Sequence, residues 1–154
     1  ASNAALVLDT SQMTIYELRD AVRQRLIGEA SGSMSILIQS FGFKRGVPTD
    51  ADLVFDVRML PNPHWVKELR LQNGLDPEVA TFLEAQPMTG ELFSSISGYL
   101  DRWLPDYRDS NRSYMTVAIG CTGGQHRSVY LAARLFQYYK ALYPQVHIRH
   151  RELQ

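Results

Sequence analysis

The chain has 154 residues and a single cysteine, Cys121. One thiol excludes an internal disulfide and a cysteine-rich zinc site. No run of 18 apolar residues occurs, so the sequence offers no membrane-spanning helix. The opening Ala-Ser-Asn-Ala lacks the basic start and apolar core of a signal peptide, and residues 1–4 read as a cloning remnant. Neither G-x-x-x-x-G-K-[ST] nor G-x-G-x-x-G is present, so no kinase or dinucleotide loop is encoded here. His, Asp and Glu nowhere show the spacing of a metal site. His147 and His150 are three apart in an expected strand and point to opposite faces, so no metal is predicted. A cytoplasmic domain with its own core is the expectation, since a chain of this length buries roughly 70% of its unfolded surface.

Net charge is also lacking: it is zero. The zero hides an asymmetry. Residues 112–154 hold six cations (Arg112, Arg127, Arg134, Lys140, Arg149 and Arg151) against one acid, Glu152, which makes that segment +5 and residues 1–111 −5. Either one face meets an anion such as a phosphate or a nucleic-acid backbone, or the two halves neutralise each other in the fold.

The apolar pattern predicts an α/β fold. Thr14 and Glu17 have capping-box spacing, and Leu18, Val22 and Leu26 form a helical face that Gly28 stops. Small polar residues 29–35 then mark a boundary. "SILIQSFGF" and "ADLVFDVRML" do not alternate cleanly and suit strands buried on two faces. Asp76 is placed to cap a helix with Pro77 in its first turn, and Pro87 ends that helix. Leu92, Ile96, Tyr99 and Trp103 predict one apolar face of a second helix. "SYMTVAIG" is the clearest buried strand. The helix after it carries two apolar faces, one through Val129 and Tyr139 and one through Leu131, Tyr138 and Leu142. "VHIRHRE" alternates as an edge strand does. This order argues for a single three-layer domain with a mostly parallel central sheet flanked by helices.

The strongest chemical signal is "GCTGGQHRS", Gly120 to Ser128. A strand, a glycine turn and a helix start place successive N–H groups around an anion. Thr122 and Ser128 can donate hydroxyl bonds, and Arg127 can grip two phosphate oxygens. The alternative is a plain connection whose glycines serve close packing. Cys121 and Arg127 also have the C-x5-R-S spacing of cysteine phosphatases, in which the thiolate is the nucleophile. Asp106, on an expected Pro-containing turn in "WLPDY", would be the general acid. Gly120 stands where those enzymes have histidine, so Cys121 reads as a small residue at a strand end. Lys44, Asp56, Arg58 and His64 also lie near strand ends. In open α/β sheets ligands sit beyond the carboxyl ends of strands, so these residues converge on the loop if the strands run parallel.

"SFGFKRGVPTDADLVFDVRMLPNPHW", "GLDPEV" and "AIGCTGGQHRSV…RHRE" closely resemble the C-terminal domain of the RNase adapter protein RapZ family over nearly all of residues 34–152. Residues 5–30 look like the end of that family's N-terminal P-loop kinase-like domain, which leaves 31–154 as the C-terminal domain. The resemblance implies regulation, not catalysis: sensing of glucosamine-6-phosphate, binding of small RNA and its presentation to ribonuclease E, and assembly into a dimer or tetramer. It places ATP or GTP only in the missing domain and no cofactor here. Lys44, His64, Thr122, Gly123 and Arg127 match motif positions expected to hold the sugar phosphate or RNA. The wider expected anion set adds Asp56, Arg58, Cys121, Gly124, Gln125, His126 and Ser128. The expected RNA set is Lys44, His64, Arg127, Arg149, His150 and Arg151. Enterobacterial members end in a lysine and arginine run, where this chain ends in "RHRELQ".

Overall fold

The computed structural model describes residues 34–153. The capping box at Thr14 and Glu17, the helix through Leu26 and the assignment of residues 5–30 lie outside the described residues.

Four strands form one sheet: β1 (Ser35–Gly42), β2 (Leu53–Asp56), β3 (Tyr114–Cys121) and β4 (Val146–His150). Their order is β2-β3-β1-β4, and all three neighbouring pairs are parallel. Helices α1 (Pro77–Glu84) and α2 (Pro87–Asp109) join β2 to β3, and α3 (Arg127–Lys140) joins β3 to β4. α3 packs on β1, β3 and β4. Parallel strands share one carboxyl edge, so the loops after all four open on the same side. The β1 connection leaves toward β2 and the β3 connection toward β4, in opposite directions along the sheet. Such a divergence is where ligands sit in open α/β sheets.

β1 and β3 are buried almost throughout, as their unbroken apolar runs require. Ile36, Ile38, Met115, Val117 and Ile119 meet Leu131 and Leu135 in the core. β4 alternates between half-buried and exposed, as expected of an edge.

Several expectations are corrected. β2 is the other edge strand and is not buried on two faces: Leu53 and Phe55 turn inward, Val54 and Asp56 outward. Asp76 stands at the α1 N-cap, but its carboxylate accepts from the Asn73 N–H at 2.8 Å and caps nothing. The inward stripe of α2 is Thr89, Ile96, Ser97, Leu100 and Leu104. Tyr99 and Trp103 flank it and are exposed; Tyr99 meets the ring of Phe55, and Trp103 lies under the Arg102 guanidinium. Pro105 does not mark a turn. α2 continues through it to Asp109, because buried Leu100 and Leu104 fix the preceding turn and the Arg102–Asp106 pair spans it. α3 is covered all round only in its first two turns, and Tyr138 and Leu142 are exposed.

Candidate anion-binding site

The loop between β3 and α3 lies against the end of β1. The Lys44 N–H donates to the Thr122 carbonyl at 3.2 Å. A Cβ built on Gly42 would fall 2.6 Å from the carbonyl carbon of Gly123 and 2.9 Å from the Gly124 nitrogen, so only glycine permits this approach. Gly124 has φ +76°, a conformation that side chains disfavour. The turn leaves a row of donors. Among the described residues, no carbonyl or side chain accepts from the N–H groups of Gly123, Gly124, Gln125 or His126. The Lys44 side chain lies alongside: its Nζ would be 3.8 Å from a Cβ on Gly123. Lys44 forms no ion pair among the described residues.

Arg127 opens α3 and is only 4% exposed. Its Nη1 donates to the carbonyls of Arg58 at 2.6 Å and Leu60 at 3.1 Å, and its Nη2 reaches Thr122 Oγ1 at 3.5 Å. Its Nε is buried without a partner, and no carboxylate among the described residues pairs with it. A buried guanidinium with an unpartnered Nε and no carboxylate in direct contact is costly, and an anion on the adjacent N–H row would offset that cost. The neighbouring His126 ring bonds the Leu69 carbonyl at 3.2 Å, and the Gln125 carbonyl accepts from the Gly74 N–H at 2.8 Å. Three consecutive loop residues thus hold the strap formed by residues 58–74.

The strap itself is stiff. Pro63–Trp65 forms a 3-10 turn whose start is capped by Asn62 Oδ1, which accepts from the His64 N–H. The His64 ring is exposed and packs edge-on against Trp65. Arg58 grips Asp56 through both carboxylate oxygens and lies 3.8 Å over the ring of Phe43. The Arg58 hydrogen bond, opposed by partial burial, holds the Asp56 carboxyl below the usual range.

On the β4 side stands Glu152, which the sequence reading passed over. Its side chain is 11% exposed. Its Oε2 accepts from the Gly42 N–H at 3.0 Å and from Arg151 at 2.8 and 3.0 Å. Burial pushes the Glu152 pKa up, but the Gly42 and Arg151 bonds outweigh this and leave it lowered. Its backbone carbonyl accepts from Gln125 Nε2 at 3.1 Å. The signal was available: it is the one acid in the basic segment, two residues past β4. Phe43 was missed too, although an aromatic between Gly42 and Lys44 at a strand end was visible.

The expected residues fall into three groups. Lys44, Thr122, Gly123, Gly124 and Arg127 meet at the carboxyl edge, with Asp56 and Arg58 joined to each other beside them. Gln125 and His126 are committed to the strap and the chain end. Cys121 and Ser128 are buried, and Cys121 Sγ lies 3.1 Å from Ser128 Oγ. Asp106, expected on a turn as a general acid, is inside α2 and paired with Arg102 at 3.1 Å. Of the expected RNA contacts, Lys44, His64 and Arg149 are exposed. His150 Nδ1 is 2.7 Å from Ser40 Oγ, and Arg151 donates to the Gly46 carbonyl as well as to Glu152. Among the described residues no group of three or more His, Cys, Asp or Glu could hold a metal, and no helix is long and apolar enough to cross a membrane.

Burial pulls the His126 and His150 pKa values below the ordinary imidazole value. The unfolded chain therefore takes up protons first as pH falls. The stability held by the neutral rings is complete above about pH 6.5 and is lost as pH drops through the lowered folded values. Urea midpoints measured between pH 8 and pH 5 are expected to fall on the acid side of about 6.5. A flat profile over that range would contradict the burial of both rings.

Known proteins are similar to this chain. The family model described as the RapZ C-terminal domain matches residues 34–154. A protein named nucleotide-binding protein from Cellvibrio japonicus (strain Ueda107) is 54% identical over 146 residues, 95% of this chain and 49% of its own length. One of the same name from Pseudomonas fluorescens (strain SBW25) is 54% identical over 150 residues, 97% of this chain and 53% of its own. One from Marinobacter nauticus (strain ATCC 700491 / DSM 11845 / VT8) is 51% identical over 150 residues, 97% of this chain and 51% of its own. The chain spans about half the length of these relatives. With the family model matching from the start of β1 past the end of β4, the chain belongs to the RapZ C-terminal domain family.

Proposed function

We propose that this domain is a regulatory binding module of a cytoplasmic RNase adapter, and not an enzyme. It senses a sugar phosphate, glucosamine-6-phosphate, at the β3–α3 loop. It also binds small RNA for presentation to ribonuclease E, within a homodimer or tetramer. The observation that carries the reading is the row of N–H groups at Gly123 to His126, unpaired among the described residues, beside the buried Arg127 guanidinium, whose Nε has no hydrogen-bond partner. Backbone donors and a guanidinium bind a phosphoryl group without any reacting side chain. The thiol that catalysis would need is 2% exposed and turned onto Ser128. RNA contact is supported by exposed Lys44, His64 and Arg149. The name shared by the relatives belongs to proteins about twice as long. ATP or GTP binding is assigned here to a P-loop domain ahead of this one, and the present domain needs no cofactor.

Lys44 tests the reading with least disturbance, because its side chain is exposed and holds no ion pair. Calorimetry with glucosamine-6-phosphate should show binding that Lys44→Ala weakens about tenfold, through loss of one charged phosphate contact. Equal affinity in both proteins, or no heat in either, would end the reading.

A further inference from the structure

Glu152 is out of place in an anion site. It is the one acid in a basic segment, yet its carboxylate lies at the edge of the N–H row proposed above to hold a phosphate. The contacts are close. A Cβ built on Gly124 would fall 2.4 Å from Glu152 Cγ and 2.7 Å from the Gly42 nitrogen. Gly42 N–H faces the β4 side of this junction and is already taken by Glu152 Oε2 at 3.0 Å. Arg151 holds the same oxygen at 2.8 and 3.0 Å, and Gln125 Nε2 holds the Glu152 carbonyl at 3.1 Å. The carboxylate is therefore anchored by the Gly42 N–H of β1 and by Arg151, while Gln125 of the loop holds the Glu152 backbone, and an arriving anion does not displace the carboxylate without breaking its Gly42 and Arg151 bonds.

We propose that Glu152 closes the β4 side of the anion site and restricts it to a single phosphoryl group, so that phosphate monoesters are accepted and diphosphates or nucleotide polyphosphates are refused. The inference rests on the phosphate reading of the loop and specifies its ligand class. The positive side of the site is Lys44, Arg127 and the N–H row. A first phosphoryl group there finds only donors and cations. A second one, joined through a bridging oxygen and running toward β4, meets the Glu152 carboxylate, already paired with Arg151, in place of the Gly42 N–H. Like charges a few ångströms apart at a protein surface repel strongly enough to set specificity. On the opposite side Asp56 is a second carboxylate, locked to Arg58, so extension toward β2 finds no free cation either.

The test uses inorganic phosphate and pyrophosphate, titrated by calorimetry into wild type and Glu152→Gln at one pH and one ionic strength. Glutamine keeps the shape and removes the charge, and thermal melting checks that the variant is folded. Wild type should bind phosphate more tightly than pyrophosphate. Glu152→Gln should raise the affinity for pyrophosphate relative to phosphate about tenfold or more. Loss of the ion pair with Arg151 strengthens both anions, so the ratio is the readout. Phosphate binding with an unchanged ratio overturns the role of Glu152 and leaves the phosphate site standing. No binding of either probe to either protein overturns the site and this inference together. If Glu152→Gln fails to fold, Glu152→Thr, which shortens the side chain and also removes the charge, gives the same ratio test. An unchanged ratio there also overturns the role.

Discussion

Arg127→Ala is expected to lower the affinity for phosphate or a sugar phosphate roughly 100-fold, and to destabilise the domain by about 3 kcal/mol. The two effects share one side chain. Toward the ligand, alanine removes the buried guanidinium that reaches the loop, with its unpartnered Nε and its Nη2 beside Thr122. Toward the strap, it strips the donor from the carbonyls of Arg58 and Leu60. Both carbonyls then depend on water or stay unpaired, and a buried unpaired polar group costs about 1–3 kcal/mol. Calorimetry reads the first effect and urea unfolding the second. Arg127→Lys separates them: it keeps a charge near the loop but lacks the planar fork, so it should recover part of the stability and little of the affinity. Full phosphate affinity in Arg127→Ala would show that the N–H row and Lys44 suffice, and would remove Arg127 from the site.

Gly74→Ala should be strongly damaging. The added carbon would fall 2.3 Å from the His126 carbonyl oxygen, 2.6 Å from the Tyr130 nitrogen and 2.8 Å from Val129 Cβ. Two of these are backbone atoms, and they form the first hydrogen bond of α3, Tyr130 N–H to His126 carbonyl at 3.0 Å. The helix cannot yield there without losing that bond, and the strap cannot retreat without losing its 2.8 Å bond from Gly74 to Gln125. A loss of about 3 kcal/mol is expected, or roughly 10 °C in Tm for a domain of this size. Gly98→Ala is the matched control. Gly98 is exposed inside α2 with nothing near its missing Cβ, so alanine there should be neutral or stabilise by up to about 1 kcal/mol. Equal melting of Gly74→Ala and wild type would mean that the strap does not sit on the loop as described.

What the residues alone revealed was local. Cys121 to Ser128 reads as strand, turn and helix start because those states follow from neighbours within a few positions: an apolar run, two glycines, then a helical apolar pattern. β1, β3 and β4 were legible for the same reason. β2 was misjudged because "LVFD" is too short to show its period, and whether a strand lies at an edge depends on a partner about 60 residues later. The α2 face was misjudged because four apolar residues at helical spacing define a stripe, while only the packing partners decide which part of it faces inward. Pro105 looked like a stop because its chemistry is a stop unless tertiary contacts hold the helix on both sides.

The site divides along the same line. Sequence determined that a strand, a glycine turn and a helix start meet in one loop, which glycines and cations that loop contains, and that its family is that of RapZ. The fold decided which of those cations are available. Arg127 is half occupied by carbonyls 67 and 69 residues away, and Arg58 is claimed by Asp56. Lys44 forms no ion pair among the described residues, and Glu152 reaches Gly42 across 110 residues. A parallel sheet brings the ends of strands far apart in sequence to a single edge. Charge balance at that edge is therefore settled by strand order, which no local pattern records.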